Sequence, residues 1–477
     1  GKRRTVDADI DLFSVRWLVV EPVYASGTGA DHLWVGTHRD SVRLKPDPRS
    51  RRYGVDPPPP RQRRIDRYMA TPGARVKIGI VGAGIAGLSA AWLLSRRHEV
   101  TVFEGEERIG GHTATIDVSL DGERHAIDTG FIVFNDRTYP NFIRLMDELG
   151  VTSQPTEMSF SVSSESEGVE YAGRNLDSLF AQRGNLLRPA FWRMLRDILR
   201  FNRNAAADLE HGRIPEGMLL GDYLARNGYS REFRDWYLVP MGAAIWSSGT
   251  RGMAEFPVEF FVRFFRNHGL LTVTDQPQWR TIRGGSREYL GPLTRRFAGA
   301  IRTGDPVERI TREADGVSVR TRGGTSERFE HVVLGCHSDQ ALALLGDPSA
   351  EERGILSSIP YRDNDVVLHT DTRVLPRSPR AWSSWNYRLR TGADALPVLS
   401  YDMNILQRLE SRHTFCVTLN DTAAIDPSRI LGRYRYSHPV FSLEGVRAQQ
   451  RWAEINGVRR TWFCGAWWAN GFHEDGV

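Results

Sequence analysis

The clearest pattern in the chain is an uncharged run of eighteen residues between Lys77 and Arg96. Residues 76–81 are rich in β-branched side chains, glycines follow, and residues 88–94 have the apolar composition of a buried helix. The run is long enough for a membrane span, but the glycines that interrupt it argue against one. The pattern therefore predicts a strand, a tight turn and a helix that are buried within protein.

The glycines of this turn, Gly82, Gly84 and Gly87, have the spacing of a dinucleotide-binding loop. In such loops the first glycine permits the turn, the second lets backbone approach a diphosphate, and the third lets the helix pack on the strand. The helix start adds free amides and the positive end of a dipole. The next predicted strand, residues 98–103, ends at Glu104, where an acid is expected to receive ribose hydroxyls.

More motifs follow Glu104. Gly110 and Gly111 precede a predicted hairpin at residues 113–127, which ends in an Asp-Thr-Gly motif at residues 128–130. These motifs resemble the FAD signature of the flavin amine oxidase superfamily, whose members include phytoene desaturases, protoporphyrinogen oxidases and UDP-galactopyranose mutases. The resemblance implies that the paired glycines lie near the pyrophosphate and ribityl chain of FAD. Taken alone, the pair also fits an ordinary turn.

One departure and one further motif bear on the resemblance. His112 stands where the family usually has arginine, so a charged contact to the cofactor is not implied there. Residues 284–286 and the strands after them resemble the family's second FAD segment, in which a valine like Val307 meets the adenine side. An ordinary β-meander is the alternative interpretation of that stretch.

The last segment, residues 462–476, resembles the final FAD motif of the family. That motif implies that Gly465 and Ala466 lie beside the ribityl chain and that a helix begins near Gly471. Ala466 replaces the usual acid, and the chain ends before a helix is expected. We therefore expect a truncated C-terminus with impaired flavin retention, which the natural extension would restore.

The residues predicted to bind FAD belong to these motifs and their immediate neighbours. In chain order they are Gly82, Gly84, Ile85, Ala86, Gly87, Glu104, Gly110, Gly111, His112, Val307, Gly465, Ala466, Gly471 and Phe472.

The resemblance implies an α/β fold with a Rossmann-like FAD-binding domain, discontinuous in sequence, and an inserted α+β substrate domain. The FAD-binding domain is predicted at residues 74–135, 281–345 and 455–477. The substrate domain is predicted at residues 136–280 and 346–454. Ligands are expected where the two domains meet.

A narrower resemblance is to an uncharacterised bacterial branch of predicted NAD/FAD-binding proteins, whose genes often lie beside cyclopropane-fatty-acid synthase genes. It rests on residues 179–185, 237–246, 382–387 and 471–476 and extends over nearly all of residues 74–477.

Residues 1–70 differ from the rest of the chain. They contain basic clusters and a run of four prolines, which predict a disordered leader or linker. Because Met69 lies just before the first predicted strand, a second hypothesis is that the upstream residues are not part of the natural protein.

Charge and cysteine usage narrow the function classes. Residues 1–68 carry 14 of the 63 basic and 9 of the 58 acidic residues, so residues 69–477 carry 49 of each and are neutral. A nucleic-acid partner is therefore not predicted. The three cysteines share no metal-ligand spacing and predict neither a metal site nor a disulfide framework, which favours a reducing cytoplasm.

The predicted substrate domain is rich in aromatic residues. They indicate either an apolar pocket for a lipid-like substrate or an ordinary aromatic core. The residues concerned are Phe256, Phe260, Phe261, Phe264, Phe265, Trp279, Trp382, Trp385 and Tyr387.

Two amphipathic helices are predicted on the same side, at residues 190–204 and 256–271. The first carries arginines at helical spacing opposite apolar positions. It fits either a peripheral contact with an anionic membrane or a solvated face over a core. The second fits an entry helix for substrate.

Candidate chemistry remains open at this level. Amine oxidases of the superfamily often place a lysine, through water, at flavin N5, but no lysine follows Lys77. His112 and His473, with Glu474 and Asp475 beside the latter, are candidates for proton transfer, and each has a structural alternative. No catalytic base is assigned.

The sequence thus predicts an FAD-dependent oxidoreductase that takes hydride from a small hydrophobic substrate, of fatty-acyl or isoprenoid type. A flavin amine oxidase is the first alternative. A non-redox flavin-dependent isomerase or mutase is the second, and a binding protein with a vestigial site is the third. The oligomeric state and the electron acceptor are not predicted.

Overall fold

The computed structural model describes residues 75–272, 276–390 and 396–477. In it, the glycine-rich segment follows the central strand of a parallel β-sheet, at the carboxyl end of the strands. The predicted leader, residues 1–70, lies outside the described residues.

The strands are numbered in chain order. They are β1 Lys77–Val81, β2 Glu99–Phe103, β3 Thr115–Leu120, β4 Glu123–Asp128, β5 Val133–Asn135, β6 Ser153–Pro155, β7 Phe160–Ser164, β8 Val169–Ala172, β9 Trp279–Ile282, β10 Ile301–Arg302, β11 Val307–Arg312, β12 Val317–Thr321, β13 Ser326–Phe329, β14 His331–Leu334, β15 Tyr361–His369, β16 Trp385–Arg388, β17 Val398–Asp402, β18 Cys416–Leu419, β19 Ile430–Pro439 and β20 Thr461–Phe463.

The helices are named by their bounds. The α-helices are Ile85–Leu94, Pro140–Leu149, Leu176–Leu179, Pro189–Glu210, Leu220–Arg226, Arg231–Phe233, Val239–Trp246, Thr250–Ala254, Val258–Asn267, Leu290–Thr294, Ser338–Leu344, Ala350–Ser357, Met403–Leu406, Leu443–Gln450 and His473–Gly476. A π-helical turn spans Arg234–Leu238. The 3₁₀ turns are Arg183–Leu187, Ser286–Tyr289, Ala298–Ala300, Thr372–Val374, Pro379–Ala381, Thr422–Ala424, Pro427–Arg429, Trp452–Glu454, Val458–Arg460 and Ala466–Trp468.

The parallel sheet has the strand order β10-β2-β1-β14-β20. Its central strand β1 pairs with β2 and β14, so that Ile80 lies between Val102 and Val333. Ile78 and Ile80 are fully buried, as expected for a parallel sheet covered on both faces. The five strands come from three distant parts of the sequence, and all of them end at one carboxyl edge.

A second, seven-stranded sheet has the order β19-β15-β18-β17-β16-β7-β8. Its neighbours are antiparallel except β16 and β7. Helices between residues 176 and 267 pack beside it around an aromatic core. Phe256, Phe261 and Phe265 are at most 1% exposed there, as the core interpretation of the aromatic residues predicts. The mixed α/β class is confirmed, whereas the domain boundaries stay a prediction.

Three sequence expectations change in detail. The two amphipathic helices span Pro189–Glu210 and Val258–Asn267, so the first is longer and the second shorter than predicted. A helical turn, His473–Gly476, forms where no closing helix was expected, because its backbone groups bond within the last residues. Within the described part of the chain, every helix is too short or too polar to cross a bilayer.

Candidate cofactor and substrate site

The glycine loop lies at the carboxyl end of β1, where the helix Ile85–Leu94 begins. Gly82 has a φ of +100°, and a Cβ there would lie 2.9 Å from the carbonyl oxygen of Gly335. A Cβ on Gly87 would lie 1.9 Å from the carbonyl oxygen of Gly82, so these two glycines permit the tight turn and the close packing of helix on strand. A Cβ on Gly84, in contrast, would meet nothing within 4 Å.

Gly84 is the N-cap of that helix and supplies no capping side chain. The first amides of a helix lack intrahelical acceptors, and this helix start has open space beside Gly84 and the C-terminal turn on its other side, where a Cβ on Gly476 would lie 3.7 Å from the amide nitrogen of Ala86. This combination of free amides, a positive dipole end and empty volume is the local chemistry of an anion site.

Glu104 follows β2 directly and holds the loop from the adjacent strand. Its Oε2 accepts a hydrogen bond from the amide of Ala83 at 2.8 Å, and its Oε1 accepts one from the amide of Glu106 at 3.0 Å. A carboxylate has about four acceptor positions, so Glu104 keeps capacity for further donors.

Gly110 and Gly111 lie against the same loop. The amide of Gly110 donates to the carbonyl of Ala83 at 2.8 Å, and Gly110 forms an isolated parallel bridge with Gly84. A Cβ on Gly111 would lie 3.3 Å from the Cα of Gly84. Both have positive φ, of +113° and +57°. The two glycine motifs therefore form one cradle of backbone, made of residues 82–87 and 110–111.

The C-terminal segment reaches the same edge of the sheet. β20 lies beside β14, and a Cβ on Gly335 would be 3.4 Å from Sγ of Cys464 and 2.9 Å from Cα of Gly87. Gly465 has no room for a side chain, since a Cβ would lie 2.3 Å from Nε1 of the buried Trp467. The carbonyl of Ala466 accepts the amide of Gly471 at 3.1 Å.

Val307, Gly471 and Phe472 lie farther from the glycine loop. Val307 begins β11 and packs, half-buried, against the cluster that contains Val81 and Phe103. A Cβ on Gly471 would lie 3.2 Å from the ring of Phe441 in the substrate-side core. The Phe472 ring stacks at 5.3 Å on Phe264, so these two positions border the aromatic region.

The buried carboxylate of Asp128 joins the hairpin β3–β4 to Ser286, which follows Gly284 and Gly285. Oδ1 of Asp128 accepts hydrogen bonds from Thr115 Oγ1 at 2.6 Å and from the amide and hydroxyl of Ser286 at 2.8 and 2.9 Å. Its Oδ2 is buried and has no hydrogen-bond partner among the described residues. Burial raises the pKa of Asp128 to about 6, against the opposing effect of these hydrogen bonds.

The network continues to the C-terminus. Thr113 is hydrogen-bonded to the hydroxyl of Tyr289 and lies 3.1 Å from Nε2 of His473. The His473 ring stacks on Phe131 with 3.5 Å between centroids. Burial, reinforced by His112, holds the pKa of His473 well below its usual value, so the ring is neutral near pH 7.

His112 belongs to a group of packed rings. Its centroid lies 5.2 Å from that of His438, 5.5 Å from Tyr436 and 6.4 Å from His337. Burial, then the neighbouring His337 and Arg108, lower its pKa to about 4. Its Nε2 is buried and has no hydrogen-bond partner among the described residues. His112 is thus a neutral ring and not a substitute for the usual arginine charge.

A pocket of about 590 Å³ lies where the C-terminal segment meets two helices, Pro140–Leu149 and Val258–Asn267. Its lining residues are Arg137, Thr138, Tyr139, Pro140, Arg266, Asn267, His268, Asn470, Phe472, Glu474 and Asp475. The lining combines aromatic rings with charges of both signs.

The two carboxylates of the pocket are held by backbone. Glu474 accepts the amides of Asn141 and Phe142 at 3.1 and 2.9 Å. Asp475 accepts the amides of Asn470 and Phe472 at 3.1 and 2.9 Å, and burial raises its pKa to about 6.

Lys77 lies at the opposite end of β1 from the glycine loop. Its ammonium pairs with Glu327 at 2.6 Å, so it does not approach the cradle or the pocket.

Among the described residues, no group of His, Cys, Asp and Glu side chains is arranged to hold a metal ion.

Sequence reasoning missed several residues of this region. Arg137, Tyr139 and His268 line the pocket, and Tyr289 and Ser286 complete the buried network. No sequence pattern points to these residues as a group. A buried Tyr or Ser following a glycine pair is the weak signal that was present for the last two.

Comparison with known proteins gives a consistent result. The sequence profile of the flavin containing amine oxidoreductase family matches residues 85–394. AofH of Mycobacterium tuberculosis, a protein named as a flavin-containing monoamine oxidase, is 26% identical over 270 residues, which are 55% of this chain and 58% of that protein. The chain thus spans somewhat more than half of that relative's length.

Two further likenesses bear on fold and on part of the chain. Zeta-carotene desaturase of Zea mays is 35% identical over 111 residues, 23% of this chain and 17% of the maize protein. The structure of wild-type putrescine oxidase bound to putrescine superposes with a TM-score of 0.60 at 16% identity and covers 85% of this chain and 97% of that one. The last likeness shows the fold, and the profile match shows more: the chain belongs to the flavin containing amine oxidoreductase family.

Proposed function

We propose that the protein is an FAD-dependent oxidoreductase that binds FAD across the cradle of residues 82–87 and 110–111 and takes hydride from a hydrophobic substrate. The observation that carries the proposal is the open space beside Gly84, the N-cap of a helix that has no capping side chain. Family membership supports the choice of FAD as the cofactor.

The residues present fit the cofactor at several points. The amides at Ile85 and Ala86 would bind the diphosphate, and Glu104 has acceptor capacity left for ribose hydroxyls. Val307, beside Phe103, would border the adenine. Gly465 and Ala466 would approach the ribityl chain through backbone alone, because Ala466 has no carboxylate. When bound, FAD supplies the capacity to accept a hydride.

The chain's own residues orient the substrate and exclude water. Phe472, stacked on Phe264, closes one side of the pocket with aromatic surface that connects to the buried core. His112 and His473 are buried and neutral near pH 7, so each would take up a proton only beside an anionic group. Hydride transfer needs mainly orientation and electrostatics from the protein, and a lysine is not indispensable to it.

A hydrophobic substrate, of fatty-acyl or isoprenoid type, is the first choice within this proposal. The stacked rings of Phe264 and Phe472 beside the pocket support it, and so does the likeness to a carotene desaturase over part of the chain.

A cytoplasmic enzyme is part of the same proposal. None of the three cysteines, all within the described residues, forms a disulfide.

An amine substrate is the second choice, supported by one observation. Glu474 and Asp475 both line the pocket, and carboxylates are the groups that attract an ammonium ion. Relatives named as amine oxidases agree with it.

The cofactor part is tested by flavin content. On addition of FAD, the purified chain is expected to bind the cofactor and to show the visible absorption of oxidised flavin after gel filtration, and Glu104→Ala to weaken FAD binding about tenfold or more, because the loop loses its brace and the ribose its acceptor. Glu106→Ala, an exposed acid two residues on, is the matched control and should retain full flavin. A colourless protein, or equal flavin in both variants, contradicts the proposal.

Anaerobic mixing then separates the substrates. Loss of the oxidised-flavin absorption on addition of an unsaturated fatty acid or an isoprenoid supports the first choice, and loss with a primary amine supports the second. Product formed with no electron acceptor consumed would indicate an isomerase or mutase instead.

A further inference from the structure

The helix Pro189–Glu210 has an outer face that is neither purely polar nor covered. Trp192, Arg196, Leu199 and Arg203 recur at i, i+4, i+7 and i+11 and so form one stripe. Trp192 is 45% exposed and Leu199 39%, and both arginines are exposed at the surface. A helix that only covers a core carries polar residues on such a face, so packing within the chain does not account for the two large apolar side chains.

The turn before this helix extends the stripe. Leu187 is 90% exposed, the highest value among the large apolar side chains of the described residues, and Leu186 is 47% exposed. With Pro189, Trp192, Arg193 and Arg196 they line a shallow surface groove of about 430 Å³. The exposed apolar tip, Leu186 and Leu187, is thus continuous with the stripe.

Trp192 is fixed in the patch by two contacts. Nε1 of Trp192 donates to the carbonyl of Leu186 at 2.9 Å, and its ring packs at 5.7 Å from Phe180. The opposite face of the helix is buried, with Phe191 and Phe201 fully enclosed in the core. A rigid apolar tip of this kind loses little conformational freedom when it inserts into another phase.

The surrounding charge is strongly positive. Residues 180–207 contain six arginines and a single acid, Asp197. Arg183 pairs with Asp177, Arg193 pairs with Glu232, and Arg196 and Arg200 share Asp197 at 3.7 and 3.5 Å, so three acids face six arginines. The segment therefore keeps a net positive charge after its ion pairs are counted, which complements an anionic surface.

We propose that Leu186, Leu187, Trp192 and Leu199, with Arg196 and Arg203, form a docking patch for an anionic lipid surface. The leucines and the indole enter the boundary between headgroups and acyl chains, and the arginines meet lipid phosphates. The helix packs against Val258–Asn267, whose last turn lines the 590 Å³ pocket. When Pro189–Glu210 docks on the membrane, the helix that contacts it directly, Val258–Asn267, is the one that lines the pocket. The proposal does not depend on the chemistry proposed above.

The test is co-sedimentation of the full chain with vesicles of phosphatidylcholine alone or with about one third phosphatidylglycerol. We expect binding to the anionic vesicles and about tenfold weaker binding to the neutral ones. Leu187→Asp should lower binding to the anionic vesicles about tenfold, because a carboxylate replaces the most exposed apolar side chain. The fold tolerates this change, since Leu187 is 90% exposed.

Matched variants show whether the loss of binding is specific to the patch. Val458→Asp, 45% exposed on a distant turn, should bind as the native chain does. Arg196→Glu with Arg203→Glu should weaken binding, whereas Arg320→Glu, on β12, should not. Every variant carries the same residues 1–74, so the basic leader does not contribute to the differences.

Equal binding by the native chain and Leu187→Asp would overturn the proposal. A native dimer that Leu187→Asp converts to a monomer, measured by light scattering without lipid, would also overturn it, because the patch would then be covered by a second copy. Neither measurement involves flavin or turnover, so failure here leaves the proposed oxidoreductase activity to its own test.

Discussion

The cradle and the pocket are built in different ways. In the cradle, the five glycines of residues 82–87 and 110–111, braced by Glu104, place backbone atoms around the open space beside Gly84. The pocket joins side chains far apart in sequence, such as Arg137 and Glu474, and the separate buried network does the same with Thr113 and His473. A backbone site is therefore sensitive to added atoms, whereas a side-chain site is sensitive to lost hydrogen bonds and to protonation.

The largest effect is expected within the cradle itself. Gly87→Ala places a Cβ 1.9 Å from the carbonyl oxygen of Gly82, so strand and helix must separate. We expect the free energy of unfolding to fall by about 3 kcal/mol or more, measured by urea denaturation.

Gly84→Ala is the matched substitution three residues earlier. Its Cβ meets nothing within 4 Å and its φ of −76° suits alanine, so the stability should stay within about 0.5 kcal/mol of the native value. Flavin retention should nevertheless fall, because the methyl group enters the space proposed for the diphosphate. A Gly84→Ala protein with full flavin content would remove the functional distinction between the two glycines.

The second prediction concerns the buried network. Asp128→Ala leaves the amide and hydroxyl of Ser286 without their acceptor and should lower the free energy of unfolding by about 2 kcal/mol, measured by urea denaturation. Asp128→Asn keeps an acceptor oxygen and should recover most of this loss.

Asp117→Ala supplies the comparison on the same hairpin. Asp117 forms a bidentate pair with Arg287, but its side chain is 71% exposed, so the change should cost at most about 0.5 kcal/mol. If Asp117→Ala and Asp128→Ala cost the same in denaturation, burial is not what makes Asp128 important.

The same contrast accounts for what the sequence could predict. The strand, loop and helix around Gly82 follow from local spacing, because each glycine serves a backbone requirement that acts within a few residues. The hairpin at residues 113–127 follows from its Asp-Gly turn and appears as β3 and β4. Helix ends were less well predicted: Pro189–Glu210 continues six residues beyond the predicted end, through the buried Ala205, although alanines favour a helix by local propensity alone.

The pocket was not predictable in the same sense. His473 was a candidate from its motif, but its contacts with Phe131 and Thr113 depend on how the C-terminal turn meets a hairpin some 350 residues earlier. Arg137 and His268 carry no motif at all. Contacts of this kind depend on how whole helices and strands pack together. A single sequence therefore indicates candidate residues but does not show which of them lie side by side.

The last prediction is a pH dependence of stability, to which each histidine of the group contributes a small part. His112 and His337 have pKa values lowered to about 4, and His438 to about 3, mainly by burial. The unfolded chain binds a proton on each near pH 6.5, whereas the folded chain does not until near pH 4. Stability should therefore fall as the pH drops from 6.5 toward 4, by about 1 kcal/mol per histidine for the first pH unit.

Asp128 and Asp475 act in the opposite direction, because their folded pKa of about 6 makes the folded chain the better proton binder between pH 4 and 6. The informative quantity is thus the difference between native protein and a variant. The slope of unfolding free energy against pH reports how many more protons the unfolded chain binds than the folded chain. His112→Asn should lower that difference by about one, measured by urea titrations between pH 5 and 7. Tyr436→Phe, which contacts the same ring at 5.5 Å, loses its bond to Thr129 and some stability but should keep the native slope. An unchanged slope in His112→Asn would mean that the imidazole is already solvated in the folded protein, and burial of side chains far apart in sequence would then not be the source of this pH dependence.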